Sequence, residues 1–288
     1  YLDLPKGKPL ITFLMCYRAN HIIDGQNDVI AFFRSFIAQI PETEHSKFEF
    51  IIKLDTDDYV AQLQLLSIES FEEPCDLKHG LKQEFPTLNI RFIVYPRWSG
   101  RATLYLNYMT MFSKRNITSK VVGFVTGDCL VTRNFLPELE RCLESREKDY
   151  FIFSSQLDLN QLEYARKYRV VDHWTKGGLT EPFPIIATKL LEVIGNMGWQ
   201  SNIDNWLSLI NVIFYHTYGK LLYKKTALPY IELNPIPQKF TEDNYPTNFN
   251  ADMYTSHSKL PENSYYFDLV EQSAKNIYLN MINEGIIK

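Results

Sequence analysis

Three short stretches carry residue types that can do chemistry. LDTDDY (54–59) sets Asp55, Asp57 and Asp58 directly after an apolar run. Acids there either cap the next helix, with Asp57 or Asp58 as N-cap, or accept hydrogen bonds from a base or ribose held above a sheet. WSGRATLYLN (98–107) places Arg101 beside a Gly at the start of a helical pattern, where a guanidinium is well set for a phosphate or is simply a surface charge. GFVTGDCLVT (123–132) ends a β-branched and aromatic run in Gly127 and a lone carboxylate, Asp128, before turning apolar again. A charge in apolar surroundings needs a cation, a set of donors or water.

Strands and helices alternate around these residues, and the alternation positions them. PLITFLMCYR (9–18), FEFIIKLD (48–55), NIRFIVY (89–95), KVVGFVT (120–126) and YFIFSS (150–155) read as strands. Helical spacing falls between them in DVIAFFRSFIAQ (28–39), YVAQLQLLSIESF (59–71), TLYLNYMTMFSKR (103–115) and a segment around 134–146. This order predicts an α/β fold with a mostly parallel sheet and helices on both faces. Such sheets bind ligands at the carboxyl ends of their strands, where Asp55, Arg101 and Asp128 all fall.

The second half is less regular. DHWTKGGLTEPFP (172–184) reads as an exposed loop with a Gly-Gly hinge. A helix over about 203–218 has an apolar face of Ile203, Trp206, Leu207, Ile210, Ile213, Phe214 and Thr217. The Pro-, Asn- and Tyr-rich run from Pro229 to Pro261 reads as a long ordered loop or wrapping segment, and a last amphipathic helix over about 264–283 ends near Gly285. With no repeat, low-complexity tract or clear linker, one domain with a decorated C-terminal half is expected.

Composition narrows the class. At 288 residues and 45% hydrophobic the chain can build a substantial core. A net charge of −4 with scattered Lys and Arg argues against nucleic acid. No apolar run approaches the roughly 18 residues of a membrane span, and YLDLPKGKPL lacks the apolar core of a signal peptide. Because residue 1 is Tyr, the chain also reads as a piece of a longer one. Cys16, Cys75, Cys129 and Cys142 show no metal-binding spacing. Reduced thiols, and with them a cytoplasmic location, are the expectation. There is no P-loop, no GxGxxG after the first strand, no GxSxG and no HExxH.

Taken in order, the three acid- and Arg-bearing stretches resemble the nucleotide-sugar-dependent glycosyltransferases of the GT-A (Rossmann-like) fold, particularly the inverting family 2. The resemblance covers roughly residues 9–145. It implies a single GT-A-like domain over 1–288, with a nucleotide-sugar-binding half (1–155) and an acceptor-binding half carrying the C-terminal helix (156–288). It implies that Asp55, with Asp57 beside it, binds the donor's base. Arg101, six residues before Asn107, matches the family's Arg-to-Asn spacing, and Asp128 falls where the last metal-binding acid sits. The chain departs from the pattern at Gly127, where the family usually has another acid. A divalent ion, Mn²⁺ or Mg²⁺, takes only one or two ligands from protein when phosphates and water complete its shell. The resemblance also implies a general base opening a helix on the acceptor side. NIDNWLSLI (202–210) offers Asp204, which the helix dipole favours in any case. His173, on the hinge-like loop, is the rival, and Asp172 a weaker one; Trp174 and Trp199 are candidates to stack on sugar rings or to sit in the core. The partners implied are a UDP-, GDP- or dTDP-sugar and a glycan or other hydroxyl acceptor.

Other classes stay open. The missing acid at 127 fits a non-catalytic nucleotide-sugar or glycan-binding module. A sugar nucleotidyltransferase would carry a Gly-rich basic loop after the first strand, whereas CYRANHIIDGQND has one Gly and one Arg. A glycoside hydrolase needs two acids at a fixed separation, and nothing in the sequence fixes such a pair.

Overall fold

The computed structural model describes residues 8–17, 28–58, 61–62, 80–96, 108, 111–112, 117–127, 129–154, 183–195, 203–226, 228–233 and 264–288. The elements in chain order are β1 (Ile11–Tyr17), α1 (Asp28–Gln39), a 3-10 helix (Glu42–Lys47), β2 (Phe48–Asp55), α2 (Gly80–Glu84), β3 (Asn89–Tyr95), β4 (Val121–Thr126) and β5 (Cys129–Val131). They continue with α3 (Leu136–Leu143), β6 (Ile152–Ser154), β7 (Ile185–Ala187), α4 (Thr188–Ile194), α5 (Ile203–Tyr218), β8 (Tyr223–Lys225), β9 (Ile231–Leu233) and α6 (Ser264–Asn283). The chain packs as two compact units, one of Tyr1–Trp98, Asn107–Asn134 and Tyr230–Lys239, the other of Ser99–Leu106, Phe135–Pro229 and Phe240–Lys288.

In the first unit β3, β2, β1 and β4 lie side by side in that order, all parallel. The α/β alternation read from the sequence is what forms this ladder. Because side chains alternate across a strand, FEFIIKLD splits into two sets. Phe48, Phe50, Ile52 and Leu54 share one face with Phe13 of β1, and α1 lays Phe32, Phe33 and Phe36 against them. Phe50 is the hub, in ring contact with Phe13, Phe32, Phe33 and Phe36 at centroid distances of 5.6, 6.1, 5.0 and 5.0 Å. Edge-to-face pairs of this kind contribute beyond their buried area. Helix α1 ends with Ile40 N–H still donating to the Phe36 carbonyl, just before Pro41. The 3-10 turn after it buries His45, whose Nε2–H donates to the Ile40 carbonyl (3.0 Å) while Nδ1 hydrogen-bonds the Thr87 hydroxyl (2.8 Å).

The opposite set, Glu49, Ile51, Lys53 and Asp55, is buried as well. Here charges are met by charges across strands. Arg91 Nη2 of β3 lies 2.5 Å from Glu49 Oε1, and the Thr12 hydroxyl of β1 donates to Glu49 Oε2 at 3.0 Å. Tyr108 packs edge-on against Phe124 of β4 on this side, and its hydroxyl donates to the Val125 carbonyl (3.1 Å).

In the second unit β6 pairs with β8 in parallel and with β7 antiparallel. Helix α3 buries Leu136, Leu139 and Leu143, and Pro137 stands in its first turn, where no backbone donor is needed. Helix α4 stops at Gly195, which takes the left-handed conformation (φ 71°) and donates its N–H to the Leu191 carbonyl. Helix α5 buries Trp206, Leu207, Ile210 and Phe214 as its periodicity predicts, but Thr217 is exposed and Asn211 is buried instead. Asn211 stays inside because its Oδ1 accepts from the backbone N–H groups of Leu222 (2.8 Å) and Tyr223 (3.4 Å). Helix α6 packs Val270, Ala274, Ile277 and Met281 inward, and its Tyr278 stacks on Tyr218 of α5 at 3.9 Å.

The three-residue strands β5, β7, β8 and β9, α2, α4 and the 3-10 turn were not expected from the sequence. Strand β9 lies in the Pro229–Pro261 run expected to be loop; residues 234–261 lie outside the described residues. Among the described residues no helix is long and apolar enough to cross a membrane.

Candidate functional site

The strand order of the first unit defines a crevice. From β1 the chain moves outward through β2 and β3, then returns to place β4 on the other side of β1. The reversal makes the carboxyl ends of β1 and β4 a topological switch point, the place where open α/β sheets bind ligands.

Tyr17 ends β1, and Gly127 follows β4. A Cβ added at Gly127 would lie 3.3 Å from Tyr17 Cδ2, 3.7 Å from Cε2 and 3.8 Å from the backbone N of Val29, in the first turn of α1. A side chain at 127 would therefore need the tyrosine ring to give by a few tenths of an ångström. The turn is braced on both sides: the Cys129 thiol donates to the Thr126 carbonyl (2.9 Å), and Val131 N–H donates to Ser35 Oγ of α1 (2.9 Å). Strand β5 then pairs antiparallel with β9.

One strand over, the three acids of LDTDDY have separate placements. Asp55, 4% exposed, forms an ion pair with Lys53, which is 1% exposed. Asp58 is the N-cap: its Oδ1 accepts from Ala61 N–H at 3.1 Å, and Ala61 and Gln62 are helical. Asp57 is exposed in the turn between them. The turn is closed by Thr56 N–H to the Tyr95 carbonyl (3.2 Å), Asp58 N–H to the Asp55 carbonyl (3.2 Å) and Gln62 Nε2 to the same carbonyl (2.8 Å). Lys53 Nζ also reaches the Pro96 carbonyl at 3.4 Å. Cys16, in register with Lys53, has its thiol pushed well up by burial, against the pull of the Lys53 ammonium. It is held as the neutral thiol.

Of the residues expected to act, Asp55 and Asp57 stand at the end of β2, on the strand next to β1. Asp204 lies in the first turn of α5; its side chain is outside the described residues, as are Arg101, Asp128 and His173. Lys53 and Tyr17 were missed. The signal for Lys53 was present, a cation two residues before an acid at the end of a mostly apolar strand. Nothing in the sequence points Tyr17 toward Gly127. Among the described residues no three His, Cys, Asp or Glu side chains gather to hold a metal ion, and none of Cys16, Cys129 and Cys142 is in a disulfide.

No family model matches the chain, and no curated protein matches it. Among solved structures it is similar to the mannosyltransferase PcManGT from Pyrobaculum calidifontis in complex with GDP-Man and Mn²⁺, at 11% identity and a TM-score of 0.48, over 97% of this chain and 76% of that one. It is similar to S. aureus TarS 1–349 in complex with UDP-GlcNAc at 14% identity and a TM-score of 0.43, covering 69% of this chain and 52% of that one. A third similar structure is the galactosyltransferase LgtC in complex with donor and acceptor sugar analogs, at 16% identity and a TM-score of 0.42, over 87% of this chain and 98% of that one.

Proposed function

We propose that the chain is a glycosyltransferase that moves a sugar from a nucleotide-diphosphate donor to a hydroxyl of a glycan or similar acceptor, with inversion at the sugar carbon. The observation that carries the reading is the switch point between β1 and β4, where Gly127 presents backbone without a side chain and β2 brings its acid-bearing turn alongside. A crevice of this kind suits a long, anionic, base-bearing ligand. Asp55 and Asp57 are assigned to the base and ribose, and Arg101 to the diphosphate.

A divalent ion, Mn²⁺ or Mg²⁺, fits a donor set of one carboxylate, Asp128, with diphosphate oxygens and water as its other ligands. When bound, such an ion supplies charge stabilisation at the departing diphosphate. Asp204 takes the proton from the acceptor hydroxyl as that oxygen attacks, with His173 as the rival base. The single acid is also what a binding module without turnover would show. Metal-strengthened binding with no sugar transfer to any acceptor would select that second reading.

The test is calorimetric titration with UDP, GDP and dTDP, each with and without Mn²⁺. One nucleotide is expected to bind, more tightly with metal, and Asp128→Asn is expected to abolish the metal's contribution. No binding under any condition sinks the reading. Asp204→Asn is expected to lower kcat by about 10² to 10⁴ with donor binding nearly unchanged. Near-normal turnover would move the base role to His173.

A further inference from the structure

Ser35 of α1 has no part in the reading above, yet it holds the strand that follows Asp128. Strand β5 pairs with β9 in a two-stranded sheet of their own. Thr132 N–H donates to the Tyr230 carbonyl (3.0 Å), and bonded pairs alternate along an antiparallel ladder, so Val131 turns its N–H away from β9. Val131 is buried, and a buried N–H needs a partner. Ser35 Oγ accepts that N–H at 2.9 Å, while its own proton goes to the Phe32 carbonyl at 2.7 Å. The two bonds together fix the hydroxyl. Phe32 is held in turn by Phe33 and Phe50, at ring-centroid distances of 5.2 and 6.1 Å. The same helix meets the turn at its other end, where the Val29 backbone N lies 3.8 Å from a Cβ built at Gly127. Helix propensity favours alanine over serine, so α1 itself gives no reason for a hydroxyl at 35.

Taking the donor and metal reading as proposed, on which this step rests, we infer that Ser35 is a positioning residue for Asp128: by holding Val131 to α1 it keeps the β4–β5 turn in place for a metal-bound diphosphate. The turn is short. Thr126 ends β4, Cys129 opens β5, and the Cys129 thiol closes the step between them by donating to the Thr126 carbonyl (2.9 Å). A change at Val131 therefore reaches Asp128 through few rotatable bonds. A turn that is in place only part of the time binds its ligand more weakly by that fraction. Losing one hydrogen bond shifts such a balance by about three- to tenfold. The effect falls on the metal's contribution, because Asp55 and Asp57, assigned to the base and ribose, stand at or just past the end of a different strand, β2.

Two measurements on the full chain test the inference, each on the wild type, Ser35→Ala and Ser35→Thr. The first is hydrogen exchange of the Val131 amide, followed by NMR. The second is calorimetry with UDP, GDP and dTDP, each with and without Mn²⁺. Ser35→Ala is expected to melt near the wild-type temperature, since alanine suits a helix. Its Val131 amide is expected to exchange faster while those of Phe13 and Met15 in β1 stay protected. The gain in nucleotide affinity that Mn²⁺ brings is expected to fall by about three- to tenfold, with metal-free affinity held within about twofold. Ser35→Thr keeps the hydroxyl and is expected to keep both the protection and the gain. A Ser35→Ala protein with the full Mn²⁺ gain makes the serine a brace of the fold only and overturns the inference. So does an equal loss of affinity with and without metal, or a Val131 amide that stays protected, each of which leaves the donor site standing. A wild type that binds no nucleotide, or binds one with no gain from Mn²⁺, removes the donor and metal reading and this inference together.

Discussion

The two faces of the β3-β2-β1-β4 ladder are both buried, and they are built from opposite chemistry. On one side Phe50 touches four other aromatic rings from β1 and α1. On the other, the same strand contributes Glu49, Lys53 and Asp55, each met by a partner on the sheet. Aromatic packing is non-directional and loses contacts in proportion to what is removed. Ion pairs in a buried site depend on both members, and removing one costs more than removing both. The difference teaches where this unit holds its stability and where it holds fixed geometry: rings under α1, charges near the strand ends.

The comparison can be broken in three ways. The largest effect is expected from Phe50→Ala, about 4 kcal/mol of unfolding free energy, measured by urea denaturation. A loss under about 1 kcal/mol would mean that the ring cluster closes over the gap and is not the main prop of that face. Next, Arg91→Met is expected to cost about 3 kcal/mol because Glu49 stays buried without its cation, while Glu49→Leu/Arg91→Met comes back to within about 1 kcal/mol of the wild type. If the double variant is as unstable as the single one, the ionic face is not exchangeable for an apolar one and the contrast fails. The smallest effect is expected from Asp58→Ala, about 1 kcal/mol from the lost N-cap. Thermal melts of Asp57→Ala beside it sharpen the assignment, since the exposed Asp57 is expected to move the midpoint far less.

Long periodic segments were legible in the sequence. The bounds of α1, β2, β3, α5 and α6 stand where the patterns put them, because each is long enough for a helical or alternating period to be counted. Strands β5, β7, β8 and β9 are three residues each, too short for any period, and owe their form to the neighbours they pair with. β2 holds the subtler lesson. Alternating Phe and charged residues normally mark a half-exposed strand, yet all eight of its residues are buried. Burial of Glu49 depends on Arg91 and Thr12, which are distant in sequence. For the candidate site, sequence order alone led to Asp55 and Asp57 at a strand end. It did not separate the roles of the three acids, because capping by Asp58 and pairing by Lys53 are settled by backbone geometry.

Strand β5 completes the turn that follows Gly127, and its partner β9 is made on the order of a hundred residues later. During synthesis the four-stranded ladder can form early, while the β5–β9 pairing must wait for Ile231–Leu233 to leave the ribosome. The proposed donor site is thus timed by chain order: the scaffold is ready first, and the crevice acquires its final brace only once Ile231–Leu233 has followed it.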